Sequence, residues 1–266
     1  MRPTRLFPSL SALAALLLAA VLASPARAQP AFGEADVGGP DSGKPAEFYR
    51  PTGNGPFPAL VVLHGCAGMG DHERDWAQRL RGWGYAVLVI DSFSSRGFVN
   101  VCAHPTDLSG ADRAADALRA AAWLRRRADI KPDRVGVIGF SHGGWAVLRA
   151  VLADAPAAAH QPPFAAAVAF YPVCNPPAAP LVTDTLVLIG GADDWTQAAR
   201  CQDWVAHVAK QGHTAQIDVY PGAMHGFDRA GPAHLVAGHH LAPDPAAARA
   251  ATAAARAFLH ARLGGT

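Results

Sequence analysis

The chain contains no HExxH segment and no pair of cysteines at zinc-finger spacing. The common sequence signatures of a zinc hydrolase or a zinc-ribbon module are therefore missing. Its 23 Lys and Arg are matched by 21 Asp and Glu, which leaves no basic footprint for a nucleic-acid partner. Past residue 28 no apolar run approaches the length needed to cross a bilayer. There is no internal repeat and no sign of a second domain. His234, His239 and His240 fall close together but in no recognised ligand pattern, and neither a metal nor another cofactor is expected.

What remains reads as one globular unit. Half of the 266 residues are hydrophobic, enough for a single sizeable core. The first 28 residues read as a secretory leader. MRPTR is a basic start, LSALAALLLAAVLA is an apolar run too short for a comfortable span, and Ala26-Arg27-Ala28 has the small-x-small pattern of a cleavage site. An uncleaved anchor is the alternative. Cleavage after Ala28 leaves residues 29–266 as one domain with 20 basic and 21 acidic residues, no stable membrane span, and a periplasmic or secreted location. No pattern sets an oligomeric state.

After a Gly-, Pro- and Asp-rich arm with a short strand near residues 46–50, the chain alternates. Apolar strands are expected at 59–65, 85–91, 134–140, 165–173, 185–191 and 214–222. Helices are expected at 72–84, from Asp107 or Ser109 to about 127, from 141 to about 153, at 196–212 and at 244–263. Residues 223–243 read as a long loop. Strands apolar throughout, alternating with helices, imply a mostly parallel sheet covered on both faces.

Sites in such sheets form beyond the carboxyl ends of the strands. VIGFSHGGW (137–145) places Ser141 there, on a strand-to-helix turn flanked by Gly139 and Gly143. A serine whose hydroxyl stands exposed on a sharp turn leaves no room for side chains two residues either side. A structural Gly-rich turn is the alternative. A nucleophilic serine needs a base and an orienting carboxylate. His225 follows the strand at 214–222 and lies at the correct edge, whereas His213 precedes it. Asp193 and Asp194 follow the strand at 185–191, whereas Asp184 precedes it. An acid early in the loop reaches back more readily, which favours Asp193 over Asp194. Two backbone N–H groups should hold the oxyanion: that of His142, after the nucleophile, and that of Cys66, in the loop HGCAG. His64 and His142 read as turn residues rather than bases.

LHGCAG, DSFSSRG, GFSHGG, YPVC, GGADDWT and YPGAMHGFD together resemble the dienelactone hydrolase family of α/β-hydrolases, over roughly residues 45–262. The resemblance implies a single-domain α/β-hydrolase fold with about eight mostly parallel strands. It also implies a triad at Ser141, Asp193 and His225, and cofactor-free hydrolysis of a small-molecule ester or lactone. The enzymes that name the family use a cysteine nucleophile and a glutamate near the first loop, where this chain has Ser141 and LHGCAG. Those departures favour a general serine esterase over dienelactone activity proper. Arg229, and less closely Arg96, match positions at which the family holds a substrate carboxylate, a task suited to arginine.

Export makes disulfides the expected state of the four cysteines. Neighbouring strand ends suggest Cys66–Cys102 and Cys174–Cys201. A non-catalytic binding protein on a hydrolase fold is the rival from another class; its usual mark, a lost triad member, is not seen.

Overall fold

A computed structural model describes Met1 and residues 37–38, 45–155, 161–175, 179–208 and 213–265. The leader at 1–28 therefore lies, Met1 apart, outside the described residues. The elements run β1 (Val37–Gly38), β2 (Ala46–Tyr49), β3 (Phe57–Leu63), α1 (Asp71–Gly82), β4 (Ala86–Ile90), α2 (Gly110–Arg125), β5 (Ile130–Phe140) and α3 (His142–Ala150). They continue with β6 (Ala167–Phe170), β7 (Thr185–Gly190), α4 (Ala198–Val208), β8 (Ala215–Tyr220), β9 (His234–Val236), β10 (His239–Leu241) and α5 (Pro245–Leu263).

Among the described residues one sheet has the order β1-β2-β4-β3-β5-β6-β7-β8. All neighbours are parallel except β2 and β4. The central strands are buried along almost their whole length, as a sheet with both faces covered requires. The edge strand β8 alternates between half-buried and exposed positions. Strand order reverses at β3: β4 lies on one side of it and β5 on the other. That switch point opens a crevice at the carboxyl ends of β3 and β5. Gly65 and Ser141 meet there, the Cβ of Ser141 falling 3.8 Å from where a Cβ on Gly65 would stand.

The helix starts follow local chemistry. Ser109, not Asp107, caps α2: its hydroxyl accepts from the Asp112 N–H at 3.1 Å while Asp112 accepts from the Ser109 N–H at 3.1 Å. Asp244 caps α5 through the N–H groups of Ala246 and Ala247. Pro245 follows at the first helical position, and Gly264 stops the helix at φ 72°. The reading of 223–243 as a plain loop needs correction, because β9 and β10 form an antiparallel hairpin there. The turn between them has Ala237 at φ 50° and Gly238 at φ 86°, the left-handed pair a two-residue hairpin turn requires.

Candidate active site

Ser141 sits between β5 and α3 with φ 53° and ψ −114°, a conformation that costs on the order of 1–3 kcal/mol outside glycine. The surroundings enforce it. Its N–H donates to the Phe170 carbonyl at 2.9 Å, and its own carbonyl accepts from the Trp145 N–H at 2.9 Å. A Cβ on Gly139 would stand 2.4 Å from the Gly143 carbonyl oxygen, and one on Gly143 would stand 2.3 Å from the Leu63 carbonyl oxygen. Both glycines are there because backbone fills the space a side chain would need. The turn leaves the hydroxyl pointing at His225.

The Oγ of Ser141 lies 2.9 Å from His225 Nε2, and His225 Nδ1 lies 2.8 Å from Asp193 Oδ2. His225 and Asp193 are buried. Asp193 is held on all sides: its Oδ1 accepts from the N–H groups of Trp195 and Thr196 at 2.9 and 2.8 Å, and the Thr196 hydroxyl lies 2.9 Å from its Oδ2. A carboxylate so engaged can orient an imidazole without moving. Thr196 had no signal in the sequence; its hydroxyl also lies 3.2 Å from His225 Nδ1. Asp194, the other acid considered, turns away to His240, 2.7 Å from its Nδ1. His213 and Asp184 face each other at 3.6 Å, at the start of β8 and β7 and so at the opposite edge of the sheet.

A cavity of about 110 Å³ opens over Ser141, lined by the loop Gly65–Gly68, Cys102, Trp195, Val236 and Leu241. Cys66 and Cys102 are joined, as are Cys174 and Cys201. The first bridge ties Cys66, in the loop that lines the cavity beside Ser141, to Cys102. His142 opens α3, so its N–H is among those that a helix leaves without an intrahelical acceptor. The imidazole of His142 is occupied elsewhere. Arg113 Nη1 donates to its Nδ1 and its Nε2 donates to the Pro105 carbonyl, both at 2.8 Å. Burial, and then the Arg113 charge, push its pKa down to about 3, so it stays neutral. His64 is likewise buried and lowered, chiefly by desolvation.

The two arginines part company. Arg229 lines the cavity with its side chain 37 % exposed, 3.9 Å from Glu73. Arg96 does not reach it. Its guanidinium is bound bidentately to Asp116 at 2.7 and 2.8 Å and its side chain is only 1 % exposed. The expectation of substrate contact by Arg96 is corrected accordingly: the fork is spent on a buried carboxylate twenty residues away on α2.

Beneath the cavity lies a charged group that the sequence did not reveal. Asp228 accepts from His72 Nε2 at 2.9 Å, Trp76 Nε1 at 2.8 Å and the Tyr171 hydroxyl at 2.7 Å. His72 Nδ1 meets Glu73 at 3.2 Å. Burial alone would lower the His72 pKa, but Asp228 and Glu73 outweigh it and hold it at about 9. Burial would raise both acids, yet His72 holds each at about 2. Tyr171 links this group to the site, its ring 4.8 Å from that of His225.

A family model described as the dienelactone hydrolase family matches residues 45–262. A protein of Escherichia coli strain K12, provisionally named a carboxymethylenebutenolidase, is 30 % identical over 209 residues, covering 69 % of this chain and 73 % of its own. The solved structure of a dienelactone hydrolase-like promiscuous phosphotriesterase from metagenomic libraries has a TM-score of 0.71 at 23 % identity, over 82 % of this chain and 92 % of that one. A butyrate-bound thermophilic esterase of Thermogutta terrifontis gives 0.63 at 19 %, over 83 % and 90 %. The last two are likenesses of fold. The chain belongs to the dienelactone hydrolase family and is a carboxylic ester hydrolase.

Proposed function

We propose that this protein is an exported serine hydrolase that cleaves neutral carboxylic esters through an acyl-enzyme, with Ser141 as nucleophile, His225 as general base and Asp193 as its orienting acid. The observation that carries the reading is the unbroken run of contacts from Ser141 Oγ through His225 to Asp193 at the floor of the cavity. Ser141 attacks the ester carbonyl as its proton passes to His225 Nε2. Asp193 accepts from Nδ1–H and stabilises the imidazolium. The N–H groups of Cys66 and His142 receive the oxyanion, each worth a factor of roughly 100–1000 in rate. His225 then gives its proton to the departing alcohol, and water repeats the sequence to free the acid and restore Ser141. The two disulfides suit an oxidising compartment, in keeping with cleavage of the leader after Ala28.

Arg229 supports a second reading, hydrolysis of carboxylate-bearing lactones, because its partly exposed guanidinium lines the cavity. The charges beneath weigh against it. His72 and Arg229 already offset Glu73 and Asp228, so a neutral ester leaves that arrangement undisturbed while a carboxylate adds an uncompensated anion.

A fluorophosphonate probe tests the nucleophile. The native protein is expected to label at one serine and Ser141→Ala not at all; equal labelling of the two, or none of either, defeats the reading. A panel of neutral esters and carboxylate-bearing lactones then separates the two substrate classes. Turnover confined to the lactones, and lost in Arg229→Gln, would favour the second.

A further inference from the structure

The loop Gly191–Thr196 makes three attachments with three consecutive residues. Asp193 holds His225. Asp194 accepts from the His240 N–H at 3.1 Å and lies 2.7 Å from its Nδ1, with His239 at 3.7 Å. The Trp195 ring lies between the two, 5.0 Å from His225 and stacked on His239 at 4.9 Å and 13°. The far end of the hairpin is tied to the segment that carries the base. Leu241 bridges to His225, the Ala242 N–H donates to the His225 carbonyl at 3.3 Å, and the Asp244 N–H donates to the Phe227 carbonyl at 2.8 Å. The hairpin β9–β10 is therefore seated on the base and its acid, and turns Val236 and Leu241 into the cavity.

Cys66, Cys102 and Ala67 line the same cavity. The disulfide side is backed by its own apolar cluster of Phe93, Val101 and Leu108, against which Val236, Phe98 and Trp195 also pack. That cavity is about 110 Å³, far below the 300 Å³ or so of a pocket for a larger ligand.

We propose that the β9–β10 hairpin sets acyl-chain length in this enzyme: in the seated position Val236 and Leu241 close the cavity to all but a short acyl group, and the Asp194–His240 contact and the Trp195–His239 stack keep it seated. The proposal rests on the esterase reading above. Val236 and Leu241 are apolar, so their selection is steric: a longer chain must displace the hairpin or leave methylenes outside. Both partners of the Asp194 contact are substantially exposed, at 41 % and 61 % of their side chains, so the latch is weak and the packing of Val236 and Leu241 carries most of the selection.

The test measures kcat/KM for p-nitrophenyl acetate, butyrate and octanoate, and reads the octanoate-to-acetate ratio so that a uniform loss of activity cancels. The ratio is expected to rise about tenfold or more in Val236→Ala/Leu241→Ala, from the discrimination that one or two methylenes typically carry. It should rise about two- to fivefold in Asp194→Ala and fall in Val236→Trp, which fills the cavity instead of emptying it. Fluorophosphonate labelling of Ser141 is followed in every variant. An unchanged ratio in the alanine and tryptophan variants, with labelling intact, overturns the proposal. Absence of labelling in the native protein defeats the esterase reading, and this proposal with it.

Discussion

The buried charges below the cavity make stability depend on pH in a way that can be worked out in advance. His72 holds its proton to about pH 9, against an ordinary 6.5. A basic group raised in the folded state contributes stability that is fully present below its unfolded pKa and lost as pH climbs through the folded value. The difference corresponds to about 3 kcal/mol at pH 6.5, about half of that near pH 7.8 and almost nothing by pH 9.5. The carboxylates of Glu73 and Asp228, both lowered to about 2, report the same attraction from the other side and are not added to it; their loss belongs to the acid limb, as pH falls from about 4.5 towards 2. Tyr85 and Tyr220 are raised above 10, so they stay silent up to pH 9.5. Buried neutral His64 and His142 give back roughly 0.4 kcal/mol each over this range, as their unfolded forms lose protons, so urea denaturation between pH 6.5 and 9.5 should show the unfolding free energy of the native protein falling by about 2 kcal/mol. Removing His72 alone would strand two buried anions, so the comparison is His72→Gln/Asp228→Asn, whose stability should not fall over this range. A native protein equally stable at both ends, or a double variant that declines as steeply, would refute the assignment of a charged His72.

Two further outcomes are expected. Asp193→Asn should lower kcat by about 10⁴-fold, because an amide supports the wrong imidazole tautomer, whereas Asp194→Asn should stay within about tenfold on acetate esters; steady-state kinetics decide, and the reverse order would reassign the acid. Replacing Cys66 and Cys102 together by Ser opens a loop closed over a sequence separation of 36 and should cost about 4 kcal/mol by the chain-entropy relation, read by urea denaturation, with kcat falling further than in the matching Cys174/Cys201 variant because the first bridge braces the loop proposed to carry an oxyanion donor.

Much of this architecture was legible in the residues. Burial on both faces makes the central strands apolar throughout, and such runs with helical stretches between them admit few arrangements other than a parallel sheet. Strand direction then sorts candidates by edge: it separates His225 from His213 and Asp193 from Asp184, pairs that the structure finds at opposite ends of the sheet. The hairpin escaped because its strands are three residues each and none of their residues is fully buried, too short and too open to carry a hydrophobic period. Arg96 was misjudged because its partner, Asp116, is decided by how α2 packs, not by the local motif.

Fold class, the sharp serine turn and the chain order of the candidate nucleophile, acid and base were readable from the residues alone. These depend on short-range sterics and on hydrophobic period, which neighbouring residues express directly. Which aspartate meets His225, how wide the cavity is, and that His72 and Asp228, 156 positions apart, meet in a buried contact emerge from how the elements pack. Those outcomes depend on distances across the crevice between elements, and no local pattern in the chain encodes them.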